Sequence, residues 1–346
     1  MGKQHKVTKR QKLLNQNGNI DEPGYALNQV WHYSREDIKA PKWRIKEWDY
    51  YYIGTQDYGL CLTVSDCGYV GTVSASLLDF KNKTQINKTA IRFFPMGRLH
   101  LPNTPDIGDI YGKCGLADFA FENDGKEKHL SGVFNKFYDN LDPLVFDITL
   151  YDIPKDHMVI ATPFDKDKHF YYNQKTNLLK AKGYFTIKGE EYSFEENNGL
   201  ATLDWGRGVW TYDNTWYWGS FNGYLEDGTL LGWNIGYGFG DTSKASENML
   251  FVNGVAHKLD EVTFNIPQKD GKDDFMSPWT FTSNDNRFNM TFTPIIDRYD
   301  PLDFKFIMMI PHQVFGIFNG EVVLDDGTKL KVNNLIGFAE KVHNKW

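Results

Sequence analysis

The stretch LDWGRGVWTYDNTWYWGSFNGYLEDGTLLGWNIGYGFGDTSKASEN, residues 203–248, decides the fold class. It gathers Trp205, Trp210, Trp216, Trp218 and Trp233 around closely spaced glycines. Asp227-Gly228 is a two-residue hairpin signal. Pairing outward from Glu226 and Thr229 sets Asn222 opposite Trp233, Ser220 opposite Ile235, Trp218 opposite Tyr237 and Trp216 opposite Phe239. That register gives one face an aromatic ladder. The other face carries Tyr217, Gly219, Phe221 and Gly223 against Gly232, Asn234, Gly236 and Gly238. Glycine inside a strand weakens it, so a run of glycines marks close approach by a backbone or a ligand.

The strand period continues outward. Residues 51–65 read as two strands around Gln56-Asp57, and 68–78 extend them with small and β-branched residues. Residues 145–150 and 184–188 alternate. Asp124-Gly125, Asn253-Gly254 and Asp326-Gly327 mark further hairpins. Helical patterns are scarce; 9–14 and 243–250 are the best short ones. Many short strands at close spacing predict an all-β chain, sandwich or barrel. A polar stretch over 165–182 separates two halves with similar aromatic strands. The expected domains are 1–170, with a short tail, and 171–346, carrying the Trp-rich hairpin.

Composition narrows the function classes. The 346 residues are 41% apolar and 16% aromatic, enough for a sizeable core. Lys+Arg 38 against Asp+Glu 45 gives a net charge of −7, which argues against nucleic-acid partners. The basic amino end, Lys3, Lys6, Lys9, Arg10 and Lys12, reads as a solvated tail. No apolar leader follows it, no stretch approaches the ~20 apolar residues of a membrane span, and Gly2 lacks a myristoylation context. Cys61, Cys67 and Cys114 read as reduced thiols, so a cytoplasmic protein without stable membrane insertion is expected. The histidines show no metal spacing and GYGFGD lacks a phosphate-loop context, so neither metal nor organic cofactor is expected. The oligomeric state is not legible.

Several landmarks carry a family resemblance: LLNQNGNIDEPGYA (13–26), IKEWDYYYI (45–53), LDWGRGVW (203–210), GWNIGYGFGD (232–241) and the segment 312–346. With these the chain resembles the bacterial domain-of-unknown-function family 2804. That family supplies no catalytic residue to carry over. More distantly, a DWG-like turn feeding a Trp-rich hairpin is similar to the carotenoid hydratase, tocopherol cyclase and fungal lipocalin-like cyclase group. That resemblance implies two lipocalin-like (calycin-type) antiparallel barrels or half-barrels packed together, with terpenoid or polyketide ligands.

Candidate residues follow from chemistry. Asp204 between apolar neighbours can serve as a general acid; paired with Arg207 across a tight turn at Gly206 and Gly208, it is instead a structural ion pair. Trp205, Trp210, Trp216, Trp218 and Trp233 can line an apolar pocket and stabilise cationic carbon, or simply fill a core. Asn234 and Tyr237, on the second hairpin strand, and Asp241 and Glu247 beyond it, are candidate ligand contacts; Asp241 equally suits a turn cap. His312 interrupts the apolar run FIMMIPHQVFGIF and can act as a base. The expected function is binding of an apolar small molecule, with acid-catalysed hydration, cyclisation or isomerisation as its chemistry. A non-catalytic lipid or isoprenoid carrier and carbohydrate binding on an exposed Trp platform are the alternatives.

Overall fold

A computed structural model describes residues 4–346; Gly2 and Lys3 lie outside them. Alternation builds two antiparallel sheets, and only two single-turn 3-10 helices, Arg35–Asp37 and Lys42–Arg44, are described beside them. The first sheet runs, in spatial order, through Thr84–Phe93, Val70–Asp79, Tyr58–Asp66, Ile45–Gly54, Glu190–Val209, Phe170–Ile187, Asp142–Tyr151, Lys128–Tyr138, Ala117–Asn123 and Ile110–Cys114. It curls into a nearly closed barrel. The second runs through Val255–Lys258, Met249–Val252, Leu230–Tyr237, Asp213–Tyr224, Lys329–Lys345, Met308–Val323, Phe288–Tyr299, Trp279–Ser283 and Val262–Asn265, a half-barrel. The all-β class is therefore as the strand pattern predicts, and the lipocalin-like architecture as the resemblance implies. The first sheet keeps its chain through Val209 and the second starts at Asp213.

Strand period two sorts the side chains into three apolar layers. Leu203, Trp205 and Val209 point into the first barrel with Tyr51, Ile53 and Tyr172. Phe221, Trp233 and Ile235 point into the half-barrel with Trp279, Phe281 and Phe318. Between the sheets, Tyr50, Tyr52 and Tyr171 from the first meet Trp218, Phe315 and Phe338 from the second. At ~25 cal/mol per Å² of apolar surface removed from water, these layers supply the main driving force.

Three expectations are corrected. The hairpin at Asp227-Gly228 has a three-residue loop. Leu225 N–H donates to Thr229 O and Gly228 N–H to Leu225 O, both at 2.9 Å, with Gly228 at φ +84°. Asp227 Oδ1 accepts from Thr229 N–H, which tightens this loop. The register therefore shifts by one: Phe221 pairs with Trp233, Ser220 with Asn234 and Trp218 with Gly236. One step exchanges every facing partner. Trp218 shares its face with Asn234 and the glycines, and the tryptophan gains room across the strand. Second, neither 9–14 nor 243–250 is helical; they contain the strand Gln11–Lys12 and the start of Met249–Val252. Third, the amino end is not a loose tail. His5 N–H bonds Lys244 O at 2.7 Å and Gln4 Nε2 bonds Asp260 Oδ1 at 2.8 Å, so the segment ties the first sheet to the second. Cys61, Cys67 and Cys114 are unpaired.

Gly206 lies opposite Trp48, whose indole covers it so closely that an added methyl group would overlap the ring. Gly206→Ala should cost about 1–3 kcal/mol through forced repacking. Gly228→Asn, at an open position whose positive φ asparagine tolerates, should stay within about 1 kcal/mol. Urea unfolding midpoints of the two variants check the contrast.

Candidate functional site

Neighbouring strands of the first sheet set Lys175 directly opposite Asp204. Both project into the layer between the sheets. Lys175 Nζ lies 2.8 Å from Asp204 Oδ1, and both side chains are buried. Asn173 Nδ2 donates to the same oxygen at 2.7 Å and Trp48 Nε1 to Oδ2 at 3.1 Å. The Lys175 ammonium also sits 3.8 Å above the Trp218 ring centroid, a contact worth up to ~2 kcal/mol when dehydrated. Trp218 Nε1 donates to Asn234 Oδ1 at 2.7 Å, and Asn234 Nδ2 reaches Glu247 O at 3.1 Å.

A second arm comes from the half-barrel. Glu340 pairs across the strands with Trp218 and Gln313. Its Oε1 accepts from Trp216 Nε1 at 3.0 Å and its Oε2 from Gln313 Nε2 at 3.1 Å. Gln313 Oε1 in turn accepts from Arg298 at 2.8 Å, and Arg298 Nε donates to Ser76 Oγ of the first sheet. Burial pushes the Glu340 carboxyl up to about 7; the Trp216 hydrogen bond and Lys175 oppose that rise. Burial likewise raises Glu247, against the pull of Lys175. Three carboxyl groups, Asp204, Glu247 and Glu340, thus share a dehydrated layer with Lys175 and Arg298.

Aromatic rings wall the cluster. Tyr171 stacks on Phe239 at 5.0 Å, Trp210 meets Trp216 edge-on at 5.1 Å, and Trp346 stacks on Trp216 at 6.5 Å. Within this wall Asn173 Oδ1 and Trp210 Nε1 are buried without a hydrogen-bond partner in the protein. Orphaned buried polar atoms are uncommon and call for an explanation. Asn173 Oδ1 is thus a free acceptor and Trp210 Nε1 a free donor between the rings.

The layer gathers Asp204, Trp210, Trp216, Trp218, Asn234 and Glu247 from the candidates read in the sequence. The others lie elsewhere. Asp204 and Arg207 do not pair: LDWGRGV is continuous strand, so residues three apart point to opposite faces. Arg207 enters the first barrel, where its Nη2 meets Asp49 Oδ1 at 2.9 Å and Pro102 O at 2.9 Å. Trp205 lies beneath that guanidinium, 4.2 Å away. Trp233 stacks on Phe221 inside the half-barrel, and Tyr237 stacks on Tyr217. The five tryptophans therefore serve three layers, not one pocket. Asp241 closes a turn by accepting from Ser243 N–H at 2.9 Å. His312 lies at the half-barrel mouth, its Nδ1 2.7 Å from Asp297 and its ring between Phe275 and Tyr299. Trp218 is 4% exposed and Trp216 is packed on three rings, so they form no open platform for a sugar. Sequence reading missed Trp48, Lys175, Arg298, Gln313 and Glu340. The available signal was a lone polar residue in an apolar strand, as in IGFAEKV around Glu340.

Glu340 makes stability pH-dependent in a defined direction. Its folded pKa, about 7, lies above the ordinary 4.5. The folded state therefore holds the proton more tightly, and stability from this group falls as pH rises from about 4.5 through about 7. Linkage puts the fall at roughly 3 kcal/mol. Glu340→Gln should lack that slope, so its unfolding free energy should gain on the parent between pH 5 and pH 8 in urea titrations.

A crystal structure of a Nitrosomonas europaea protein described as an AttH superposes with a TM-score of 0.52 at 15% identity, covering 89% of this chain and 95% of that one. It shows a shared fold and nothing further. Kievitone hydratase from Nectria haematococca aligns at 0.48 with 11% identity, over 87% of this chain and 88% of its own. CghA with Sch210972 aligns at 0.43 with 10% identity, over 87% and 88%. These two likenesses are too loose to carry an argument. No curated protein matches the sequence. The family model described as domain of unknown function DUF2804 matches residues 4–346, so the chain belongs to that family.

Proposed function

We propose that the layer between the sheets binds a largely apolar small molecule, terpenoid- or lipid-like, and converts it by proton transfer. The observation that carries this reading is Glu340: a buried carboxyl, held by Trp216 and Gln313, whose proton affinity is raised into the neutral range. General acids work best with a pKa near the working pH. Asp204, the donor expected from sequence, faces three hydrogen-bond donors and no acceptor, so it suits the role of a fixed anion beside Lys175. Glu340 gives its proton to an alkene or carbonyl carbon framework. The Trp216 ring stabilises the resulting cation by about 0.5–2 kcal/mol. Water or an internal double bond captures the cation, and the proton released returns to Glu340. Hydration and cyclisation differ in that capture; isomerisation omits it, the cation losing a different proton directly to the Glu340 carboxylate. Three unpaired cysteines fit a reducing cytosol.

The test starts from native mass spectrometry of fresh protein, with organic extraction of any adduct. The extracted compound, or farnesol as a first probe, is then offered to the parent and to Glu340→Gln. The reading predicts turnover by the parent that declines above about pH 7. It predicts a loss of about 10²–10⁴-fold in Glu340→Gln with binding retained. Turnover that survives Glu340→Gln contradicts it. Bound ligand without conversion by the parent would leave a carrier.

A further inference from the structure

One end of the molecule exposes aromatic side chains that no core claims. Trp43, Phe94, Tyr212 and Phe306 are 46%, 57%, 47% and 78% exposed, with Phe93 and Phe304 beside them in sequence. Contacts join these segments into one surface. Phe94 N–H donates to Tyr69 O, and the backbone of Gly68 lies against Trp43. Lys46 Nζ lies over both the Tyr69 and Trp346 rings, at 4.2 and 4.9 Å. Trp346 N–H donates to Tyr212 O, and Tyr212 Oη donates to Phe306 O at 2.7 Å. Soluble chains rarely gather this many apolar rings on one surface without a partner.

The charge on these segments opposes that of the chain. Lys42, Arg44, Arg98 and Lys305 stand against Asp213 and Asp303, a local excess of two cations (four less two) on a molecule of net charge −7. Asp213 is further engaged by His343 and Lys345. Arg44 reaches from this surface to Trp210 O at 2.7 Å, so the patch borders the aromatic wall between the sheets. Trp, Tyr and Phe flanked by Lys and Arg are the composition that settles at the headgroup level of a bilayer. Among the described residues no helix is long and apolar enough to cross a membrane, so contact through this patch would be peripheral.

We propose that the surface formed by Trp43, Phe94, Tyr212 and Phe306, with Arg44, Arg98 and Lys305, docks on an anionic lipid bilayer. Seating it there places the rim of the aromatic layer against the membrane, a source of apolar molecules. The docking does not depend on what the layer does with them.

Flotation of the full chain with vesicles tests this. Vesicles of phosphatidylcholine with phosphatidylglycerol should carry the protein at low salt, and phosphatidylcholine alone should carry much less. Added sodium chloride should weaken the binding. Phe94→Ser with Phe306→Ser should abolish it, with thermal unfolding unchanged because both rings are exposed. Arg98→Gln with Lys305→Gln should weaken it about thirtyfold. No flotation on either vesicle, or flotation unaltered in both double variants, overturns the proposal. So does a concentration-dependent dimer, lost in the phenylalanine variant, without vesicle binding; that result gives the patch to a second copy of the chain. The assay uses no substrate, so its failure leaves the proton-transfer reading standing, and the converse also holds.

Discussion

Where the strands Phe170–Ile187 and Glu190–Val209 pair over 170–181 and 199–209, no residue is exposed. One face fills the first barrel and the other lies under the half-barrel. Every polar side chain they carry there must find a partner inside, because an unpaired buried charge costs several kcal/mol. Lys175 and Asp204, directly opposite each other, satisfy that demand in the layer; Arg207 with Asp49 satisfies it in the barrel. The two pairs sit on opposite faces of the strand Glu190–Val209, one bridging to Phe170–Ile187 and the other to Ile45–Gly54. They hold the barrel wall in register and fix where the half-barrel can pack.

The half-barrel answers with its own constraint. Trp218 must lie over the Lys175 ammonium, and Glu340 on the adjacent strand must then share the same dry layer. Its carboxyl has two neutral donors, Trp216 and Gln313, and no cation in direct contact. Burial therefore governs its proton affinity.

Much of this was legible in the sequence, within physical limits. Period two gave the strands, Asn253-Gly254 gave its hairpin, and the tryptophan density marked the second half as the place to look. The pairing did not follow. Asp227-Gly228 suits both two- and three-residue loops, and one residue of difference exchanged Ile235 for Asn234 opposite Ser220. Asp204 and Arg207 looked paired because a turn was assumed; in a strand their spacing separates them. Lys175 and Glu340 were missed because their partners come from distant strands, and no spacing along the chain encodes that contact. Lys6, Lys9, Arg10 and Lys12 are exposed as read, but the anchoring of the segment by the His5 backbone and Gln4 was not legible, because their partners Lys244 and Asp260 are distant in the chain.

The central claim is that Glu340 holds a proton near neutral pH inside an otherwise ionic layer. Infrared difference spectroscopy across a pH titration reads this directly, through the carbonyl stretch of a protonated carboxylic acid that Glu340→Gln lacks. The account predicts a band assigned to Glu340 that disappears with a midpoint near 7. A midpoint at the ordinary 4.5 would contradict it, and would leave the layer a structural ion-pair network between two barrels.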